Sequence, residues 1–341
     1  MTVTVAPFTG AADEWDGVVA GTAGGTHCHR HGWLGAIGDS FGHQRYALAA
    51  RDVAGVLVGV LPLVRVRTAL FGHYLVSMPF LNYGGPVGSA AAVGALAREA
   101  VGMARADRVK LLELRSRVAL PVDLVASHRK ITVVLDLPAT ADGLWKSLPA
   151  KLRSQVRRPQ KEGVTVRFGP DQVAPFHRIF ATHMRDLGTP ALPRRFFEAM
   201  ARHFGPDAWF ACAYHGPTPI ACGAGITWNG ESEIIWAAAL RDYNRLAPNM
   251  LLYWAAMERA IADGCRTFNF GRCTPDSGTH RFKQQWGGRD EPLWWYQDSP
   301  AGIGGTPSPD GGVYGLAVKV WQRLPVSLTT RLGPWLVRGI P

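Results

Sequence analysis

The sequence has few cysteines and no closely spaced pair of them. Five cysteines are scattered through 341 residues, and none belongs to a Cys-x-x-Cys motif. An odd, dispersed set does not predict a disulfide framework. We therefore expect reduced thiols, as in a cytoplasmic protein.

Long apolar runs and a leader sequence are also missing. No stretch reaches the roughly 18 uninterrupted apolar residues that a membrane-spanning helix needs. Residues 1–16 contain no basic segment followed by an apolar run, so we expect no signal peptide. The sequence thus predicts a cytoplasmic protein, with peripheral contact at the inner face of the membrane as an open alternative.

Acidic residues are fewer than basic ones. The chain has 26 Asp and Glu against 37 Lys and Arg, giving a net charge of +11. The excess reflects either a general preference for arginine or an anionic, phosphate-bearing partner, and its clustering favours the partner. One cluster lies within residues 146–161 and comprises Lys146, Lys151, Arg153, Arg157, Arg158 and Lys161.

This basic cluster has helical spacing. Arg153, Arg157 and Lys161 fall on one face of a helix. The functional interpretation is a track for the phosphates of tRNA or of a lipid- or nucleotide-linked precursor. The alternative is a solvated charged face.

The predicted order of elements occurs twice, in a chain long enough for two domains. The first half has strands at 46–50, 55–67 and 74–78, an alanine-rich helix at 89–106 and a strand at 109–115. The second half has strands at 208–214, 220–228 and 233–239, a helix from Asn249 and a strand at 267–270. We interpret this order as a duplicated α/β unit, with chance recurrence as the alternative.

The loops before the two matching helices are candidate substrate sites, because helix N-termini favour anions. The first loop contains Asn82, Tyr83 and Gly84, and the second runs from Arg245 to Asn249. For Asn249 itself, a plain helix N-cap is the stronger interpretation.

A lysine beyond the last predicted strand is the main candidate for catalysis. Lys283 follows Phe282, and both come shortly after the strand that ends in Phe270-Gly271-Arg272. A fixed cation at such a place suits stabilisation of the negative charge that develops at a reacting carbonyl. Arg272 and Trp236 are expected at the same edge, although Trp236 fits a core position equally well.

Two histidine-containing segments are weaker candidates. Asp276 and His280 lie close enough in sequence to Lys283 to move a proton, which we hold as a minor alternative. The segment His27-Cys28-His29-Arg30-His31 has no matching ligand cluster nearby in sequence, so we expect it to be solvated and predict no metal site.

The C-terminal segment changes character. Residues 299–312 are rich in Pro and Gly and predict a linker. Residues 313–341 then carry four cations and no acid among Trp and Leu side chains. This pattern predicts either an amphipathic element that rests on the membrane surface or a helix that packs on its own domain.

Several of these motifs together resemble the FemAB-like proteins associated with PEP-CTERM/exosortase exopolysaccharide systems. The resemblance covers most of residues 25–297. Its motifs include Tyr83-Gly84-Gly85-Pro86, Arg185-Asp186-Leu187-Gly188-Thr189-Pro190, Asn249-Met250-Leu251-Leu252-Tyr253-Trp254, Phe270-Gly271-Arg272 and Phe282-Lys283 with Trp286-Gly287.

The resemblance implies two tandem GNAT-type domains that transfer an acyl or aminoacyl group to an amine. In the cell-wall members the donor is aminoacyl-tRNA and the acceptor is a peptidoglycan precursor. The Phe-Lys pair, carried over as Phe282 and Lys283, stabilises the tetrahedral intermediate there.

The chain departs from related patterns at the turn before the second helix. GNAT enzymes hold the CoA pyrophosphate on the N–H groups of a Gly-rich turn, which is Arg245-Leu246-Ala247-Pro248-Asn249-Met250 here. Pro248 has no N–H to donate. Acetyl-CoA is therefore a doubtful donor, and aminoacyl-tRNA or another acyl thioester stays open. The coiled-coil arm of some cell-wall members is absent, which places a muramyl-peptide acceptor in doubt.

Taken together, the sequence predicts an α/β protein of two GNAT-type domains with mixed sheets, at residues 1–130 and 131–298, followed by a linker and tail at 299–341. The predicted function is amide formation in cell-envelope or exopolysaccharide metabolism, with no certain cofactor. One alternative is an N-acyltransferase that depends on acyl-CoA or an acyl carrier. Another is a non-catalytic accessory protein that binds glycolipid or membrane.

Overall fold

The computed structural model describes residues 2–68, 72–299 and 312–340. Most of the predicted Pro/Gly-rich linker, residues 300–311, lies outside the described residues. Within the described ranges, no helix is long and apolar enough to cross a bilayer. None of the five cysteines forms a disulfide, as expected.

The strands are β1 (Thr4–Pro7), β2 (Gln44–Arg51), β3 (Leu57–Thr68), β4 (Gly72–Val76), β5 (Val87–Gly88), β6 (Leu111–Ser116), β7 (Val125–Ser127), β8 (Ile131–Asp136), β9 (Val164–Phe168), β10 (Ala208–His215), β11 (Thr218–Trp228), β12 (Glu231–Ala239), β13 (Thr267–Cys273), β14 (Arg289–Pro292) and β15 (Trp294–Asp298).

The α-helices are α1 (Ala12–Gly21), α2 (Gly32–Phe41), α3 (Ala90–Ala106), α4 (Ala141–Ser147), α5 (Ala150–Lys161), α6 (Val173–Leu187), α7 (Arg194–Phe204), α8 (Pro248–Ala262), α9 (Gly278–Gln284), α10 (Gly312–Arg323) and α11 (Val326–Val337).

The chain folds into two compact units, each with its own mixed sheet. The first unit contains described residues 2–131, 291–299 and 338–340, and the second contains 132–290 and 312–337. The sheet of the first unit has the order β1-β2-β3-β4-β6-β15-β7, and that of the second has β14-β8-β13-β12-β11-β10-β9.

The predicted boundary at residue 298 needs a correction. Strand β15, which the sequence analysis placed in the second domain, pairs with β6 and β7 in the sheet of the first unit. The pairing partners of Trp294–Asp298 lie more than 160 residues earlier in the sequence, so no local signal indicates them. The boundary therefore falls before this strand.

The predicted duplication is present in the topology. In the first unit β2, β3 and β4 are antiparallel neighbours, α3 follows, and β6 returns parallel to β4. In the second unit β10, β11 and β12 are antiparallel neighbours, α8 follows, and β13 returns parallel to β12. Each unit thus brings the C-terminal ends of two parallel strands to one sheet edge.

Local sequence explains several element boundaries. Asn229 and Gly230 have φ angles of 50° and 79°, so the predicted Asn-Gly pair forms the tight hairpin turn between β11 and β12. Ser89 caps α3, since its Oγ accepts the N–H of Ala92. Gly264, with a φ of 77°, follows the end of α8 in the left-handed conformation that suits glycine.

Aromatic packing dominates the core of the second unit. Phe176 on α6 contacts Phe197 on α7 and Phe210 on β10, edge to face, with ring centroids 4.8 and 5.6 Å apart. These rings hold α6 and α7 against the sheet and provide a rigid scaffold for its edge.

The segment His27–His29 was expected to be solvated, and that expectation is wrong. It forms a 3₁₀ turn in which His27, Cys28 and His29 are buried. His29 bonds through Nδ1 to Thr26, and its carbonyl accepts the indole N–H of Trp15. Burial lowers the pKa of His29 to about 4, so this ring is neutral at ordinary pH.

Candidate active site in the second unit

Two parallel strands separate at the C-terminal edge of the second sheet. Strands β12 and β13 pair over Glu231–Glu233 and Thr267–Asn269, and both continue beyond the paired stretch. On the other side of β12, the register with β11 shifts between Ala224 and Gly225, so that Ile235 is the extra residue of a bulge. Helix α8 starts after β12 at this same edge, where we find the candidate site.

Lys283 lies at the end of β13. It projects from α9, and its Nζ donates to the carbonyl oxygens of Gly271 at 2.6 Å and Arg272 at 2.9 Å. The side chain is only 3% exposed. An ammonium has three N–H donors, and these two contacts account for two of them. No described residue accepts a hydrogen bond from the third.

The electrostatic setting of Lys283 is unusual for a lysine. Burial lowers its pKa to about 8, whereas Cys273 and Glu233 act in the opposite direction. Glu233 is itself fully buried on β12, next to the point where the two strands part. Lys283 therefore remains mainly protonated at neutral pH, in a place where solvent screens its charge little.

Asn269 holds the end of β13, where the carbonyl groups that bind Lys283 lie. Its Oδ1 accepts the N–H of Gly271 at 2.8 Å and the hydroxyl of Thr132 at 2.7 Å. Gly271 has a φ of 72°, a conformation that glycine adopts at little cost. The carboxamide thus fixes Gly271, the residue whose carbonyl accepts a hydrogen bond from Lys283. The sequence analysis missed Asn269, although an asparagine between Phe268 and Phe270 in a buried strand is a usable signal.

Aromatic and polar contacts join α9 to α8. The ring of Phe282 contacts Tyr253 edge to face, with centroids 4.9 Å apart. Nearby, Gln285 donates through Nε2 to the Met250 sulfur at 3.9 Å. The first turns of α8 and the Phe282-Lys283 pair therefore lie side by side.

His280 cannot relay a proton in this arrangement. Its Nδ1 accepts the backbone N–H of Asp276 at 3.0 Å, and its Nε2 lies 2.9 Å from a carboxylate oxygen of Asp290. An Nδ1 that accepts is unprotonated, so Nε2 carries the proton and donates it to Asp290. Both ring nitrogens are used to orient α9, one turn before Lys283.

The N-terminus of α8 differs from the predicted capping. The N-cap position is Ala247, in the left-handed conformation and without a side-chain cap, and Pro248 occupies the first turn. Asn249 is therefore not the N-cap. Its Oδ1 is buried and has no hydrogen-bond partner among the described residues. This carboxamide oxygen can accept a donor from a ligand at the helix end.

A polar cavity of about 430 Å³ connects the basic helix with the loop before α8. Arg158 of α5 and Glu162, the residue after this helix, line it together with Asp242, Tyr243, Arg245 and other residues of the second unit. Arg245 is thus placed in a cavity, as a substrate-binding residue requires. The basic helix contributes Arg158 to it, and neither Arg153 nor Arg157 is part of the lining.

Arg153 and Arg157 have structural contacts. Arg153 donates through Nη1 to the carbonyl of Leu148 at 3.0 Å and closes the junction between α4 and α5. The Arg157 guanidinium lies 5.0 Å from the ring centroid of Trp145. Arg153 is therefore partly committed to the backbone, which weakens the interpretation of this face as a phosphate track.

Two further candidates, Trp236 and Arg272, have different roles in the structure. Trp236 packs edge to face against Phe196 and Phe197, with centroids 5.8 and 5.2 Å apart, which favours the core interpretation. Arg272 is exposed, and its backbone carbonyl accepts a hydrogen bond from the Lys283 ammonium. Its own charge also lowers the pKa of Lys283, behind burial.

Asn82, Tyr83 and Gly84 belong to the first unit. Asn82 and Tyr83 are buried, and Gly84 has a φ of 133° that excludes a side chain. The loop is fastened by Arg115, which donates through Nη1 to the Leu81 carbonyl at 3.0 Å. These residues form a local cluster within the first unit, whereas Lys283 belongs to the second.

Comparisons with known proteins agree with this geometry. Residues 146–284 match the model of an acetyltransferase (GNAT) domain, and this range includes the Lys283 site. The solved structure of FemX is similar over 88% of this chain and 98% of its own, with 15% identity and a TM-score of 0.65. No curated protein matches the sequence.

Two more solved structures share the fold. One is the C-terminal domain of a putative lysylphosphatidylglycerol synthetase from Agrobacterium fabrum, with 13% identity, 85% and 92% coverage of the two chains and a TM-score of 0.57. The other is a tandem GNAT protein from the clavulanic acid biosynthesis pathway, with 15% identity, 87% and 98% coverage and a TM-score of 0.53. The architecture is therefore that of tandem GNAT proteins.

Proposed function

We propose that this chain, a FemAB-like protein with two tandem GNAT-type domains, transfers an acyl or aminoacyl group onto an amine and forms an amide. The observation that supports the proposal best is Lys283. It is a buried cation with one N–H available, held at the parting of two parallel strands inside the region that matches a GNAT domain.

The proposed reaction needs the cation at one step. The acceptor nitrogen attacks the carbonyl carbon of the donor, and the π electrons of the C=O bond move onto its oxygen. Lys283 donates a hydrogen bond to this oxyanion and stabilises it. The intermediate then collapses, expels the alcohol or thiol of the donor and leaves the amide, while the proton lost by the amine passes to the leaving group.

The donor in this proposal is aminoacyl-tRNA or an acyl thioester. Pro248 in the first turn of α8 removes one N–H from the helix end where a pyrophosphate would bind, which favours a donor held elsewhere. We assign its phosphate to the cavity that contains Arg158 and Arg245. The acceptor proposed from the sequence resemblance is an amine of cell-envelope or exopolysaccharide assembly.

The experiment that tests this function pairs donors with amines. The full-length protein is incubated with charged tRNA, acetyl-CoA or longer acyl-CoAs and a panel of amino sugars and amino acids, and new amides are detected by mass spectrometry. We expect amide with at least one donor, and about 100-fold less of it or lower with Lys283→Met. Lys110→Ala, at an exposed lysine of the first unit, is the matched control.

Two results would contradict the proposal. Equal amide from Lys283→Met and wild type would remove the lysine from the reaction. Binding of phosphate-bearing donors with no amide from any pair would favour a non-catalytic accessory protein.

A further inference from the structure

The two C-terminal helices pack against α6 by one face. The side chain of Gln322 on α10 donates to the Asp186 carbonyl at 3.1 Å. Arg185 donates through Nη1 to the Leu324 carbonyl at 3.1 Å. On α11, Gly333 lies so close to Ala191 that a side chain there would meet its backbone at 3.2 Å. The tail is thus fixed to the second unit, in agreement with the packing alternative.

The outward faces of these helices are apolar as well. On α10 the exposed side chains include Leu316, Lys319, Val320 and Arg323, and on α11 they include Leu328, Arg331, Leu332 and Trp335. Each set has the spacing i, i+3, i+4, i+7, which places its members on one helical face. We call these eight residues the tail surface.

The degree of exposure is high for such side chains. Leu316 is 64% exposed, Val320 52% and Trp335 67%. Amphipathic helices of a globular protein normally turn their apolar stripe inward. Here the inward face is already occupied by contacts with α6, and a second apolar stripe faces solvent. Exposed apolar patches of this kind mark interaction sites.

The charges of the tail surface identify the partner. Three of its eight residues are cations, and the sequence from 312 to 340 contains no Asp or Glu. The cores of protein–protein interfaces are depleted of lysine, and a second copy would bring like charges together. Cations between Leu and Trp on a helix face instead match the boundary of a bilayer, with headgroups around the cations and acyl chains around the apolar groups.

We propose that the tail surface docks this protein onto an anionic lipid bilayer. The apolar side chains enter the headgroup–acyl boundary, and Lys319, Arg323 and Arg331 meet the lipid phosphates. Because the tail is packed on α6, docking holds the unit that contains Lys283 at the bilayer surface. The proposal stands on the tail geometry and does not depend on the reaction at Lys283.

The test measures cosedimentation of the full-length protein with phosphatidylcholine vesicles that contain or lack phosphatidylglycerol. We expect binding only with phosphatidylglycerol and weaker binding at high salt. The triple variant Lys319→Gln/Arg323→Gln/Arg331→Gln should bind about 100-fold more weakly. The variant Leu316→Gln/Val320→Gln/Trp335→Gln should lose about tenfold or more.

Matched controls change equally exposed groups elsewhere. Lys110→Gln/Arg129→Gln/Arg195→Gln removes three exposed cations, and Val53→Gln/Val56→Gln removes exposed apolar groups of the first unit. Both should bind vesicles as wild type does. Equal loss in control and tail variants would mean that net charge drives binding, and would overturn the proposal. So would absence of wild-type binding, or a dimer that the apolar tail variant dissociates.

Discussion

The ammonium of Lys283 is both charged and buried, and these two properties oppose each other. Its bonds to the carbonyls of Gly271 and Arg272 compensate part of the lost hydration. Burial nevertheless lowers the pKa to about 8. The cation is therefore within reach of titration under ordinary assay conditions, which an exposed lysine is not.

This titration predicts a pH dependence. Below the pKa of about 8 Lys283 is charged, and above it the ammonium and its effect on the oxyanion are lost. We expect the ratio of wild-type to Lys283→Met kcat/KM to be constant below pH 8 and to fall about tenfold per pH unit above it. The ratio removes the titration of the acceptor amine, because both proteins share it. A ratio that stays flat to about pH 10 would contradict a cationic role.

At the residue scale, the sequence indicates which residues suit the chemistry better than it predicts which groups they contact. Lys283 and Phe282 follow from their place after a strand and from the family resemblance, and the structure puts both at the sheet edge. Arg153 was selected for its charge and helical spacing, yet it donates to a backbone carbonyl. Spacing along a helix shows which residues share a face but not which polar groups that face meets.

The C-terminal end of β13, together with the turn that leads into α9, is the element on which the site depends. It places the Gly271 and Arg272 carbonyls within reach of Lys283, and Asn269 fixes it through the Gly271 N–H. Ser277 caps α9 by accepting the N–H of His280. The position of the ammonium is therefore set by backbone conformation, with support from buried side chains.

Asn269→Ala should loosen the end of β13. We expect kcat to fall about tenfold or more, since small displacements of a catalytic group are costly, with little change in KM. The kcat/KM of Asn269→Ala relative to that of Lys283→Met should also begin to fall at a higher pH than in the wild type. The reason is that a less confined ammonium is better solvated, which raises its pKa. Thr132→Val, which removes only the second donor to the same Oδ1, is the matched control. A loss of thermal stability alone, with kcat and pH profile unchanged, would reduce Asn269 to a structural role.

Elements with local signals were predictable from the sequence. The Asn229-Gly230 hairpin turn depends on two adjacent residues and is present, and the helix expected from residue 89 begins directly after its Ser89 cap. The bulge at Ile235 depends on how β12 pairs with β11, and no local signal marks it. Strand β15 was not predicted from the sequence, and its place in the first sheet depends on distant partners.

At the scale of the whole molecule, the two units share an order of elements but carry different groups at the ends of their parallel strands. In the first, the parallel strand end carries Glu113 and Arg115, which form a buried ion pair at 2.7 Å. In the second, the corresponding strand end presents two carbonyls to Lys283. The repeated order of elements predicted a common architecture, whereas the function of each unit follows from the side chains at its strand ends.

The central claim is that Lys283 stabilises the oxyanion of an amide-forming transfer. The most direct measurement is kcat for wild type, Lys283→Ala and Lys110→Ala at neutral pH, with the donor and amine that give product. The account predicts a decrease of about 100-fold or more for Lys283→Ala, with a folded protein by circular dichroism, and no change for Lys110→Ala. An unchanged kcat for folded Lys283→Ala would contradict it.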